Sequence, residues 1–177
     1  MASYYNSYFD RVDPIPALRE FVDEHPIPNA LAVTLTLKTC FYPETTKGKG
    51  RVTLDQFNEL KTIRHFMSRL NQKVYGNAYR RYGRRLSVLP VIEGFGNCKR
   101  HVHLSLEQPE SRSLAEYTKL IRECWIKTNF GNYDIDVQSQ YGDWIGYLLK
   151  QKSKFGNDGI QLSVDPENLY SSVTLLA

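Results

Sequence analysis

Two apolar segments, residues 85–93 and 100–106, flank the tetrapeptide Gly94-Phe-Gly-Asn97, and they constrain the fold more than any other stretch of the chain. Their composition and the glycines between them predict the two strands of a β-hairpin. Side chains at i and i+2 of a strand project from one face, so His101 and His103 share a side while Val102 points to the other. A three-residue loop centred on Asn97 sets Glu93 directly across from His101, whereas a two-residue turn at Gly96-Asn97 misses that register by one. In the first case two imidazoles and a carboxylate converge. That donor set suits a divalent cation and leaves coordination positions open.

The remaining segments alternate between strands and helices. Residues 31–38 are rich in β-branched side chains with period-two alternation over their second half, and residues 133–138 alternate again; both read as strands. Residues 160–164 form a possible short strand. Thr53 with Gln56 reads as a capping box, and Leu54, Phe57, Leu60, Ile63, Met67, Leu70 and Val74 then recur at helical spacing. Ser113 with Glu116 makes a second capping box before the stripe Leu114, Tyr117, Leu120, Ile121, Cys124 and Trp125. Residues 141–152 present Trp144, Ile145, Leu148 and Leu149 on one side and read as a third helix; residues 44–51, with two Lys-Gly pairs, read as a loop. Residues 1–30, rich in proline and acids, read as an arm with one short helix at 15–24, packed on a body formed by residues 31–177. Strands interleaved with helices around a tight hairpin imply an α+β fold, a mostly antiparallel central sheet of about five strands flanked by helices.

Composition narrows the class. A chain of 177 residues that is 41% hydrophobic and 24% charged is of ordinary globular make-up, with enough length for one core. No apolar run approaches the roughly 20 residues of a membrane span, and the polar N-terminus lacks a signal-peptide apolar region, so an intracellular protein without membrane contact is expected. Cys40, Cys98 and Cys124 are odd in number and widely spaced, and read as reduced thiols rather than as a disulfide framework or zinc motif.

The net charge of +4 is unevenly distributed. Residues 61–100 hold ten basic side chains against one acid, Glu93, while residues 1–60 hold six basic and eight acidic. Between Lys73 and Arg85 the cations Lys73, Arg80, Arg81, Arg84 and Arg85 interleave with Tyr75, Tyr79 and Tyr82. Such a mixture suits phosphates and stacked bases, and the segment reads as a DNA-binding loop. His65, on the long predicted helix, reads as a solvent-facing or packing residue, and His25, before Pro26, as a loop residue.

Of twelve tyrosines, only Tyr147 has a lysine three residues on, Lys150. Residues i and i+3 of a helix are surface neighbours, so the predicted third helix pairs a hydroxyl with a cation. The order of a strand containing Leu35-Thr-Leu37, then His101-Val-His103, then Tyr147-Leu-Leu-Lys150 resembles the HUH endonuclease superfamily, in particular the single-tyrosine replication initiators of small circular viruses and plasmids. The resemblance spans roughly residues 31–152. Glu93, eight positions before His101, stands where viral initiators carry a third metal ligand. Two-tyrosine relatives place their nucleophiles four residues apart; here Tyr141 is six residues from Tyr147, about 240° around a helix, which implies a single-tyrosine enzyme. No GxxxxGK[ST] motif occurs, so a helicase would come in trans or from a further domain.

The resemblance implies a nucleotidyl-transfer chemistry. A phenol with a pKa near 10 is a weak nucleophile at neutral pH, so the site must activate it and polarise the phosphate. Mn²⁺ or Mg²⁺ held by Glu93, His101 and His103 would act as Lewis acid and template. Tyr147 would form a 5′-phosphotyrosine and release a 3′-hydroxyl, with Lys150 stabilising charge on the phosphate or orienting a water. The implied partner is single-stranded or hairpin origin DNA, handled by a monomer in a prokaryotic cytoplasm or, for a eukaryotic virus, the host nucleus. A single-strand DNA transposase of the same superfamily and a non-catalytic single-stranded nucleic-acid-binding module are the alternative readings.

Overall fold

The computed structural model describes residues 14–45, 48–94 and 99–149. Its elements are α1 (Pro14–Glu24), β1 (Ala30–Leu37), β2 (Cys40–Phe41), β3 (Glu44–Thr45), β4 (Gly48–Lys49), β5 (Val52–Thr53), α2 (Gln56–Tyr75), α3 (Asn77–Tyr82), β6 (Val88–Glu93), β7 (His101–Glu107), α4 (Leu114–Ile126), β8 (Gly131–Ser139) and α5 (Trp144–Leu148). A four-stranded sheet runs in the order β6-β7-β1-β8, and all of its pairings are antiparallel. The α+β class thus holds, with four strands among the described residues. The further strand expected at 160–164 lies outside them.

Alternation divides the sheet into two unlike faces. One presents Leu31, Val33, Leu35 and Leu37 of β1, Val88 and Ile92 of β6, and Val102, Leu104 and Leu106 of β7, all buried in one cluster with Ile63, Phe66, Met67 and Leu70 of α2 and Tyr117, Ile121, Cys124 and Trp125 of α4. Each fully buried large side chain there contributes about 1.5–3 kcal/mol. The polar atoms carried inward find partners: Trp125 Nε1 donates to the Thr36 carbonyl at 3.0 Å, and the Tyr117 hydroxyl donates to the Glu107 carbonyl at 3.1 Å. On the other face Leu89 and Val91 meet Val22 of α1, Ile27 of the loop that follows it, and Leu148 and Leu149 at the end of α5.

Several local expectations change. Thr53 does not cap α2, because it pairs with Cys40 in the β2–β5 ribbon; Asp55 caps instead, its Oδ1 accepting from the Asn58 amide at 2.7 Å. The buried stripe accordingly turns to Glu59, Thr62, Ile63, Phe66, Met67, Leu70 and Asn71, and Phe57 stays 72% exposed. Glu59 is buried because it accepts from Arg100 Nε at 2.5 Å, tying α2 to the residue before His101. Ser113 and Glu116 do form the expected capping box, although Leu114 at the helix start remains exposed while Tyr117 to Trp125 supply the buried stripe. The loop expected at 44–51 contains the two short strands β3 and β4. The loop expected at 74–85 is the end of α2 and the separate helix α3, bounded by Gly76 (φ +53°) and Gly83 (φ +66°), backbone conformations that glycine adopts without strain. Cys124 is buried, which pushes its thiol pKa up, and Cys40 is half-buried; Cys98 lies outside the described residues. No helix among the described residues is long and apolar enough to cross a membrane.

Candidate metal centre

β6 and β7 pair with Glu93 opposite His101, Ile92 opposite Val102 and Val91 opposite His103. The register predicted for a three-residue loop is therefore the one adopted, although residues 95–98 are outside the described part. Glu93 Oε2 lies 3.6 Å from His101 Nε2 and 3.6 Å from His103 Nε2. One ligand atom from each of the three residues falls within 4.8 Å of the others. Two donors bound to one ion at about 2.1 Å stand roughly 3.0–3.4 Å apart, so each carboxylate–imidazole pair needs to close by only a few tenths of an ångström, while the two imidazole ligand atoms, within 4.8 Å of each other, have further to move. The set is partly open: the side chain of His103 is 8% exposed, that of Glu93 16% and that of His101 26%.

Both imidazoles are oriented from behind. His101 Nδ1 donates to the Lys99 carbonyl at 2.9 Å; a carbonyl only accepts, so Nδ1 carries a proton and the ring turns Nε2 toward Glu93. His103 Nδ1 lies 2.9 Å from Thr34 Oγ1, its direct cross-strand neighbour on β1. With Nδ1–H donating to that hydroxyl, Nε2 again faces the carboxylate, the arrangement that metal-ligating histidines adopt. The two rings meet edge to face with centroids 4.7 Å apart. Two imidazole nitrogens and one carboxylate fit a divalent cation.

α5 brings the tyrosine to this cluster. The helix starts at Trp144 rather than near 141, because Gly142 adopts φ +59° and Asp143 then caps the helix, its Oδ1 accepting from the Gly146 amide at 2.8 Å. Asp143 Oδ2 accepts from Arg19 of α1 at 3.2 Å, linking the two helices on this face. Trp144 Nε1 donates to the Leu104 carbonyl of β7 at 3.2 Å. The indole stacks on Tyr147 (5.2 Å, 16°) and meets His103 edge to face at 5.6 Å; the Tyr147 ring itself lies 5.8 Å from His103. Tyr147 is 44% exposed. Lys150 lies outside the described residues.

The structure thus brings together Glu93, His101, His103 and Tyr147, and it separates them from the basic segment. Arg84 and Arg85 lie four and three residues before the first residue of β6, and Glu93 ends it; the five steps from Val88 to Glu93 alone span about 17 Å of extended chain. Lys73, Tyr79, Arg80, Arg81, Arg84 and Arg85 consequently lie at the opposite end of the sheet from the cation ligands. The sequence reading gave no role to Thr34, whose signal was its place in the alternation of β1, two residues before Thr36. Trp144, on the apolar side of its predicted helix, does pack partly buried against the Leu89–Val91 cluster, and it also joins β7, His103 and Tyr147. No family model, no curated protein and no solved structure matches the chain.

Proposed function

We propose that this protein is a sequence-specific, single-tyrosine endonuclease that nicks and rejoins single-stranded DNA, initiating rolling-circle replication through a covalent 5′-phosphotyrosine. The observation that carries the reading is the joint placement of the Glu93, His101 and His103 ligand atoms within 4.8 Å of one another and of the Tyr147 ring 5.8 Å from His103. A bound Mn²⁺ or Mg²⁺ supplies Lewis acidity and a template for the scissile phosphate. The chain's own groups do the rest. Thr34 and the Lys99 carbonyl hold the ligand imidazoles in the required tautomer, and Trp144 holds the Tyr147 ring beside them. The Tyr147 oxygen bonds to phosphorus as the P–O3′ bond breaks; the phenol gives up its proton and the departing 3′ oxygen takes one up. Lys150 would add positive charge near the phosphate.

The resemblance to single-tyrosine replication initiators, carried by the upstream Glu93 and the Tyr147-Leu-Leu-Lys150 motif, supports this reading over a transposase with exchanged helices. The test is incubation with pooled single-stranded DNA and Mn²⁺, with and without EDTA, followed by denaturing gel and mass spectrometry. A metal-dependent adduct on Tyr147, absent from Tyr147→Phe, is expected. Tight DNA binding with no adduct under any condition points instead to a non-catalytic binding module.

A further inference from the structure

Helix α2 packs over the hairpin that carries the cation ligands, and its mainly apolar buried stripe touches that hairpin through polar groups at both ends. At one end Glu59, 1% exposed, accepts from Arg100 Nε at 2.5 Å, while the Arg100 carbonyl accepts from the Leu37 amide at 2.9 Å. At the other end Asn71 Oδ1 accepts from the buried Leu86 amide at 2.8 Å, and the Tyr75 hydroxyl donates to Glu107 Oε1 at 3.4 Å. Glu107 then joins the two strands: its Oε2 accepts from the Ser87 amide at 2.8 Å, and its own amide donates to the Ser87 carbonyl at 3.0 Å.

The spans between these contacts match. From Glu59 to Tyr75 the helix advances about 24 Å at 1.5 Å per residue, and from Arg100 to Glu107 the strand advances about 24 Å at 3.4 Å per residue. A slip of one residue would move a strand by about 3.4 Å and turn its side chains to the other face. It would leave the Leu86 and Ser87 amides and the Glu59 carboxylate without these partners, in a setting where such groups must be paired. The register that satisfies them is the one that sets Glu93 opposite His101. Packing alone does not call for charge here: burial raises the Glu59 carboxyl above its usual range in spite of Arg100, and an apolar pair of similar volume is often as stable as a buried ion pair. What the ion pair adds is direction, at the residue between His101 and the Lys99 carbonyl to which His101 Nδ1 donates.

We infer that Glu59 and Arg100 are positioning residues for the cation centre: with Asn71 and Glu107 holding the open end of the hairpin, the pair fixes β7 lengthwise against α2 and so keeps His101 opposite Glu93. Neither residue touches the cation; both act through the backbone of residues 99–101. The inference rests on the proposed cation site, but the register is a property of the metal-free chain and is measurable without the ion.

Glu59→Leu/Arg100→Leu tests it by replacing the ion pair with an apolar contact. The variant is compared with wild type by urea denaturation, by Mn²⁺ titration, by the ¹⁴N couplings of bound Mn²⁺ and, in the metal-free protein, by the cross-strand nuclear Overhauser effect between Glu93 and His101. Stability at or above wild type is expected, with Mn²⁺ affinity lower by at least about tenfold. The His101 coupling and the Glu93–His101 contact should be lost, while the remaining coupling should vanish on further substitution of His103→Ala. Glu59→Gln, whose side-chain oxygen still accepts from Arg100 Nε, should retain the His101 coupling, as should the folded fraction of Phe66→Ala, which removes packing from the same helix. If the leucine pair does not fold, Arg100→Lys takes its place; it keeps the charge without the fixed guanidinium geometry and should lose the same coupling. Both couplings at wild-type affinity in the variant, or an affinity that falls only as stability falls, would overturn the inference. Loss of the Glu93–His101 contact in a protein whose wild type binds no Mn²⁺ would uphold the positioning role and refute the cation reading.

Discussion

The face of the sheet under α2 and α4 and the face under α1 and α5 come from the same strands, residue by alternate residue. The first is apolar throughout, from Leu31 to Leu106, and closes on Phe66 and Trp125, whose rings meet edge to face at 5.4 Å. The second is apolar only where Leu89 and Val91 meet α1, its following loop and α5; along its other rows it carries Glu93, His101, His103, Thr34 and Thr36. A protein that concentrates its packing on one face can hold on the other a cluster of polar groups that contributes little to folding. The two faces should therefore respond to substitution in different currencies, stability on one and ligand affinity on the other.

Phe66→Ala should give the largest effect, a loss of about 3–5 kcal/mol in urea denaturation, with Mn²⁺ stoichiometry per folded chain unchanged. A comparable loss of Mn²⁺ binding by the folded fraction would break the separation between the faces. On the other side, Thr34→Val keeps shape and removes the partner of His103 Nδ1. We expect a 10–100-fold fall in Mn²⁺ affinity by calorimetry, without a corresponding drop in melting temperature; unchanged affinity would deny Thr34 an orienting role.

A smaller effect is expected at the helix that carries the tyrosine. A Cβ on Gly146 would approach the Asp143 carboxylate far inside contact distance, so Gly146→Ala should displace the cap of α5 at a cost of about 1 kcal/mol. Faster amide exchange confined to α5 would show it, and unaltered exchange there would mean that the cap does not hold the helix. An effect of similar size is expected at the α4 cap on the packed face. Ser113→Ala should cost about 1 kcal/mol. Hydrogen bonds from the Ser113 hydroxyl and amide hold the Glu116 carboxyl below its usual range. Because that folded pKa is depressed, the contribution is present above the ordinary glutamate range and fades as pH falls through the folded value. The acid limb of stability should thus flatten in Glu116→Gln; an unchanged limb would assign acid sensitivity elsewhere.

Much of this arrangement was legible because it rests on local periodicity. The strands around residues 31–38, 85–93 and 100–106 and the helices led by Asp55 and Ser113 announce themselves by spacing, and the two histidines share a face by alternation alone. The Glu93–His101 register was legible only as one of two alternatives, since a single residue in the turn decides it. What spacing could not supply was tertiary pairing. Thr53 reads as a cap but pairs with Cys40, nothing in the spacing marks Glu59 as the buried partner of Arg100, and the arginines at 84 and 85 give no sign that they cover Tyr75 and Tyr79. The distance between the basic segment and the cation ligands likewise follows from the direction of β6, which sequence order alone does not convert into space.

In the proposed site Glu93, His101 and His103 hold one divalent cation through two imidazoles and a carboxylate. Pulsed electron paramagnetic resonance of the protein titrated with Mn²⁺ reads those ligands out. One ion per chain with ¹⁴N couplings from two imidazoles, reduced to one in His101→Ala and in His103→Ala, is the predicted result. Bound Mn²⁺ without nitrogen coupling, or binding unaffected by loss of all three side chains, would contradict the account.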